Sequence, residues 1–219
     1  VFFGAPSCVP STHFESSGSE ITSKVIDELL SRNDIYFLSE MMNFPGVILG
    51  NKEVHAKLNH AKKYNKPIDG HAPGLNKTEL QKYISSGIST DHECFNIQEA
   101  LDKISFGMKI QIREGSAAKN FEALYPLIDS HPEMIMLCTD DSHPDDLFFG
   151  HINILAKRAF EKNLDYFNVL RTCSYNPIKH YNLNIGLLRP KDPADFIVID
   201  NLHDFNIQQT YIDGVKLFD

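Results

Sequence analysis

Cysteine is scarce and scattered. The four cysteines, Cys8, Cys94, Cys138 and Cys173, form no Cys-x-x-Cys pair, so neither a zinc ribbon nor a disulfide framework is expected. Basic charge is also short. Against 29 Asp and Glu stand 21 Lys and Arg, a formal net charge of -8. Nucleic acid and anionic membrane surfaces both need clustered cations, so neither is expected as a partner. No apolar run approaches the roughly 20 residues of a membrane span. No basic-apolar leader opens the chain, which starts in the strand-like run Val1-Phe-Phe3. A Gly-rich phosphate loop is missing, since Gly115-Ser-Ala-Ala118 is not one. A reducing cytoplasm is the expected compartment, with Cys138 as a small core residue.

What is present is an alternation. Apolar strand-like runs at residues 1–3, 35–38, 66–69, 87–90, 109–112 and 134–138 are each followed by a loop and a helical pattern. Three capping motifs, Ser17-x-x-Glu20, Asn76-x-x-Glu79 and Asn96-x-x-Glu99, mark helix starts. The spacing predicts a loop over 41–50 and helices over 52–64, about 121–128, about 144–163 and 165–182, the last stopped by Pro177. Strand–loop–helix units of roughly 25 residues imply parallel strands covered by helices. The expected fold class is α/β, a (β/α)8 TIM barrel with six of its eight units visible. A doubly wound sheet is the alternative, but it usually carries the phosphate loop that is lacking here. From Gly186 the pattern becomes alternating β, with Asp213-Gly214 as a hairpin turn. Residues 1–185 are therefore expected to be the barrel, incomplete at its N-terminus. Residues 186–219 would begin a β-rich domain.

The polar chemistry gathers where these strands end. Met134-Ile-Met-Leu-Cys138 runs directly into Thr-Asp140-Asp141-Ser-His143-Pro-Asp145-Asp146. His71 follows the third run, His92 with Asp91 and Glu93 follows the fourth, and Glu40 follows the second. Adjacent parallel strands would deliver these groups to one mouth. Imidazole with carboxylate suits zinc, manganese or iron, and a cation so held can acidify water into a nucleophile. Either Asp140 or Asp141 is the ligand at the sixth strand, and Glu93 is either an acid–base group or a support. His143 before Pro144 reads either as a helix-entry residue or as a contact to substrate or metal. Arg113 and Glu114 form either an ordinary ion pair at a strand end or part of a substrate site.

Several stretches carry a resemblance: Ser39-Glu-Met-Met-Asn-Phe-Pro-Gly-Val47, Asp69-Gly-His-Ala-Pro-Gly74, Ser89-Thr-Asp-His-Glu-Cys94, Arg113-Glu-Gly-Ser-Ala-Ala-Lys-Asn120 and Cys138-Thr-Asp-Asp-x-His-Pro-x-Asp-Leu147. Together with Val1–Pro10 and Gly186–Asp200 they resemble, in order, the adenine deaminases of the amidohydrolase superfamily. The resemblance implies hydrolysis of adenine to hypoxanthine and ammonia with manganese or iron. It implies Glu40, His71, His92 and Asp140 as metal ligands and Asp140 as proton shuttle. Arg113 and Glu114 would lie near the purine; His143 is a further expected substrate contact, and the complete enzyme is expected to be a homo-oligomer, a dimer. The superfamily's His-x-His pair has no counterpart here, since neither His13 nor His55 sits in such a motif. The chain is therefore expected to be an internal part of a longer enzyme. The alternatives are another amidohydrolase acting on a cyclic amide or N-acetyl substrate, or an inactive fragment.

Overall fold

A computed structural model describes residues 1–12 and 14–218; His13 and Asp219 lie outside the described residues. Two compact units, Val1–Gln111 and Ile112–Asp219, are taken in turn.

The first unit alternates strands and helices as the periodicity predicts. Its elements are β1 (Phe3–Ala5), α1 (Ser23–Leu30), β2 (Ile35–Met41), α2 (Phe44–Ile48), α3 (Lys52–Lys63), β3 (Ile68–Gly70), α4 (Lys77–Ser85), β4 (Thr90–Asp91) and α5 (Ile97–Ser105). β5 (Lys109–Arg113) begins in this unit and its last two residues open the second. β1, β2 and β3 form a parallel sheet, with Ala5 opposite Leu38 and Leu38 opposite Ile68. β4 runs parallel to the start of β5, Thr90 opposite Lys109. Ile26, Leu30, Leu38, Leu58, Ile68, Leu80 and Ile88 are buried in one core. Each such aliphatic side chain contributes about 1.5–3 kcal/mol on leaving water.

Local chemistry explains where the elements begin. Asn76 and Glu79 form the expected reciprocal capping box at α4: Asn76 Oδ1 accepts from Glu79 N at 3.1 Å, and Glu79 Oε2 accepts from Asn76 N at 3.1 Å. The box expected at Ser17 is not built. α1 begins later, capped by Thr22, whose side chain accepts from Val25 N. Ser17 Oγ instead bonds the Ser19 carbonyl within the turn around Gly18. The loop expected over 41–50 contains the short helix α2. Asn43 Oδ1 accepts from Gly46 N at 3.0 Å, and Pro45 near the helix start supplies a preset φ.

The second unit continues with α6 (Phe121–Leu124), α7 (Leu127–Ser130), β6 (Ile135–Cys138), α8 (Pro144–Phe149), α9 (Ile152–Glu161), α10 (Tyr166–Leu170), a π turn at Arg171–Tyr175 and α11 (Asn176–His180). Three helices expected to be continuous are interrupted. Pro126 separates α6 from α7, because proline has no N–H for the ladder. Gly150, at φ 152°, separates α8 from α9. The π turn lies between α10 and α11, just before Pro177, which enters α11 in its first turn instead of stopping it. Cys138, expected in the core, is half-buried at the end of β6. Ile135, Met136, Leu155, Ala159 and Val169 are buried.

β7 (Phe196–Ile199), β8 (Ile207–Ile212) and β9 (Val215–Phe218) form the expected antiparallel sheet. Its last hairpin turns on Asp213 (φ 50°) and Gly214 (φ 76°), the pair of positive φ values a type I′ turn requires. Among the described residues each sheet has three strands and none closes on itself, so the strand–helix alternation is present and barrel closure is not seen.

Gly70 ends β3 where another backbone passes close. A Cβ there would lie 2.2 Å from the Thr90 carbonyl oxygen and 2.8 Å from Ile88 Cγ2. Gly70→Ala is expected to destabilise the protein by about 1–3 kcal/mol through overpacking. A urea unfolding midpoint equal to wild type would contradict this.

Candidate metal centre

Three strand ends of the first unit bring their polar groups together. Glu40 is the penultimate residue of β2, His71 follows β3 directly, and His92 follows β4 directly. His71 Nδ1 and His92 Nε2 lie 3.0 and 3.1 Å from the same oxygen, Glu40 Oε2. Glu93 closes the group from the other side. Its Oε1 lies 3.5 Å from His71 Nδ1 and 3.4 Å from His92 Nε2. The two imidazole rings stand edge to face, centroids 5.3 Å apart. Side-chain exposure falls from 35% at Glu40 through 21% at His71 to 8% at His92 and Glu93.

This geometry suits a cation. One ligand atom each from Glu40, His71 and His92 falls within a 4.8 Å group. A tetrahedral ion bound at about 2.0–2.1 Å places its ligand atoms roughly 3.4 Å apart, close to the spacings found. The donor set of two nitrogens and carboxylate oxygen matches manganese, iron or zinc. Burial raises the Glu40 carboxyl, but the hydrogen bonds and charge of His71 and His92 outweigh it and hold the group at about 2. Glu40 is thus an anion wherever the protein is folded near neutral pH.

Residues to which sequence reasoning gave no role hydrogen-bond the loops that carry the histidines. Tyr83 is fully buried on α4. Its hydroxyl accepts from His71 N at 2.9 Å and donates to the Met41 carbonyl at 2.8 Å. Burial pushes this phenol well up, so it remains a donor. Asp91 Oδ1 accepts from Ala72 N at 2.7 Å, and Asp91 Oδ2 accepts from Glu93 N at 3.0 Å. Lys103 on α5 donates to Asp91 Oδ2, the Ala72 carbonyl and Glu99 Oε1 at 2.8, 2.8 and 2.9 Å. Burial raises the Asp91 carboxyl, but the Lys103 charge outweighs it and the net shift is downward. Burial likewise lowers the Lys103 ammonium, and the Asp91 charge raises it overall. The i,i+4 spacing of Glu99 and Lys103 was the available signal. It was masked because Glu99 also reads as a capping residue. Asn96 does cap α5, but Glu99 turns to Phe95 N at 3.1 Å.

The remaining candidates fall in the second unit. Arg113 Nη1 lies 2.7 Å from Asp140 Oδ2, a pair whose side chains are 8% and 22% exposed. Glu114 pairs with Arg158, at 2.6 Å. Arg113 is anchored through its backbone, its N–H donating to Asn120 Oδ1 at 2.8 Å and its carbonyl accepting from Asn120 N at 3.0 Å. Asp140 takes a left-handed φ of 57° just beyond β6, a conformation that aspartate tolerates better than most residues. His143 is largely exposed at the start of α8, with its ring 3.6 Å from Asp145. Its N–H donates to Ser116 Oγ at 2.7 Å.

A family model matches almost the whole chain. The model described as "Amidohydrolase family" covers residues 1–217. The chain belongs to the amidohydrolase family. Solved amidohydrolase-type structures share the fold at low identity. A beta-aspartyl dipeptidase from Fervidobacterium islandicum superposes with a TM-score of 0.69 at 14% identity, covering 99% of this chain and 63% of that one. An N-acetyl-D-glucosamine-6-phosphate deacetylase from Mycobacterium smegmatis gives 0.68 at 13% identity, over 91% of this chain and 60% of that one. Sequence relatives are much nearer. A Methanosarcina mazei protein named adenine deaminase is 60% identical over 220 residues, 100% of this chain and 40% of that protein. The adenine deaminase of Salinibacter ruber is 53% identical over 97% of this chain and 39% of that protein. That of Borreliella burgdorferi is 52% identical over 99% of this chain and 41% of that protein. This amidohydrolase chain thus spans about 40% of the length of the curated relatives it matches.

Tyr83→Phe would leave His71 N–H and the Met41 carbonyl without the hydroxyl. A loss of about 1–3 kcal/mol is expected for such buried groups. Equal stability of variant and wild type in chemical denaturation would count against the role of this hydroxyl.

Proposed function

We propose that this chain supplies the central catalytic part of an adenine deaminase, hydrolysing adenine to hypoxanthine and ammonia. The observation that carries the reading is the 60% identity across the whole chain to a protein of that name. The convergence of Glu40, His71 and His92 supports it chemically. We further propose that residues 1–185 belong to an eight-stranded (β/α) barrel and 186–219 to a β-rich domain. The complete enzyme would be a cytoplasmic homodimer with adenine as its small-molecule partner.

In this reading Glu40, His71 and His92 hold a divalent cation, manganese or iron, with zinc as a third candidate. Such a cation supplies the Lewis acidity that makes water nucleophilic near neutral pH. Glu93 sits beside both imidazoles with its carboxylate buried, available as an acid–base group or as a support that orients them. Asp140 takes a proton from the attacking water and delivers it to the departing nitrogen. The water oxygen bonds to C6 of the purine, the bond from C6 to the exocyclic nitrogen breaks, and ammonia leaves. Arg113 holds the Asp140 carboxylate by their ion pair. Arg113, Glu114 and His143 are the proposed purine contacts.

Replacing Asp140 by Asn in the complete enzyme is expected to lower ammonia release from adenine by about 10²–10⁴-fold, the usual worth of general acid–base catalysis. A rate equal to wild type would sink the assignment. Stripping the metal with a chelator should abolish turnover, and manganese or iron should restore it. A substrate panel of adenine, cyclic amides and N-acetyl compounds, with ammonia as one readout, tests the reaction itself. Turnover of amides without adenine turnover would replace this reading by another amidohydrolase activity.

A further inference from the structure

We infer that Asp91, Lys103 and Glu99 form a positioning clamp that sets the distance between His71 and His92 for metal binding. The inference rests on the reading of Glu40, His71 and His92 as the ligand set and goes beyond it.

The clamp acts on the peptide units just after each histidine. Ala72 follows His71, and its N–H and carbonyl are both taken: the N–H by Asp91 Oδ1 at 2.7 Å and the carbonyl by Lys103 Nζ at 2.8 Å. Glu93 follows His92, and its N–H goes to Asp91 Oδ2 at 3.0 Å. One carboxylate therefore grips both ligand loops, one oxygen to each. Glu99 repeats the pattern one step further out. Its Oε1 accepts from Gly74 N at 3.0 Å and its Oε2 from Phe95 N at 3.1 Å. Both basic and acidic clamp residues on the helix side come from α5, at positions four apart.

The electrostatics favour a rigid device. Asp91 and Lys103 side chains have no exposure. An ammonium has three protons, and the three acceptors at 2.8, 2.8 and 2.9 Å use all of them. A buried pair satisfied in this way resists rearrangement, because any shift leaves a charge without compensation. Asp91 and Lys103 hydrogen-bond the ligand loops at backbone groups, the N–H of Ala72, the N–H of Glu93 and the Ala72 carbonyl. Their effect on the metal is therefore through backbone placement. Groups that orient ligands from outside the coordination sphere typically change metal affinity by about 10–100-fold when removed.

The test is Co²⁺ binding to the metal-stripped protein, followed by its visible ligand-field bands. Asp91→Asn keeps the side-chain volume but places an amide N–H₂ against a backbone N–H. At a temperature where circular dichroism shows wild type and variant folded, the variant is expected to bind Co²⁺ about 10–100-fold more weakly, with shifted bands. A residue that serves stability alone would lower the melting temperature and leave both affinity and bands unchanged. That result overturns the inference. Should Asp91→Asn not fold, Glu99→Gln decides in the same way, with about tenfold weaker binding expected and wild-type binding with unshifted bands contradicting it. Failure of the wild-type protein itself to take up Co²⁺ would sink the ligand reading, and the clamp with it.

Discussion

The buried pair of Asp91 and Lys103 is the constraint on which the first unit's site depends. Two unit charges without solvent are costly to bury, and the cost is offset only if every donor and acceptor is used. Here the acceptors that satisfy Lys103 are Asp91, Glu99 and the Ala72 carbonyl. The chain on either side of the pair is thereby fixed: the turn after β3, the turn after β4 and the first turn of α5. Those turns carry His71 and His92. The same polar network that makes the interior soluble to charge thus sets the separation of two imidazoles, and Glu40 from β2 meets them both with one oxygen.

Parallel strands make this economical. Neighbouring strands of like direction end at the same edge, so a residue just past each end is delivered to the same place. β2 and β3 are paired in the register Met41 to Gly70, which brings the strand ends that carry Glu40 and His71 side by side. Gly70 lets the β4 backbone come close, since the Thr90 carbonyl occupies the space a side chain would need. Thr90 then bonds Asp69 across the strands at 2.8 Å. In the second unit a different device serves Asp140. Its left-handed turn places the carboxylate on Arg113, whose backbone is tied in both directions to Asn120.

Much of this was legible in the sequence, for physical reasons that differ by element. Glu40, His71 and His92 stood out because each follows an apolar run at a spacing of about one strand–helix unit. The Asn76 and Asn96 caps were readable because a cap is a contact within four residues. The C-terminal hairpin was readable because Asp-Gly is among the few pairs that accept two positive φ values. Lys103 and Asp91 were harder, since a lysine on a short amphipathic helix ordinarily faces water. Its burial follows from a partner twelve positions away in the fold's own loop. The pairing of Arg113 with Asp140, and of Glu114 with Arg158, depends on contacts of still longer range. The breaks at Pro126 and Gly150 were written in the sequence, but the apolar periodicity on either side reads through them.

The central claim is that Glu40, His71 and His92 hold one divalent cation. Anomalous X-ray diffraction on manganese-loaded crystals, recorded on both sides of the manganese edge, tests it most directly. The account predicts an anomalous peak within bonding distance of Glu40 Oε2, His71 Nδ1 and His92 Nε2. A manganese peak elsewhere with none beside these three atoms would contradict it.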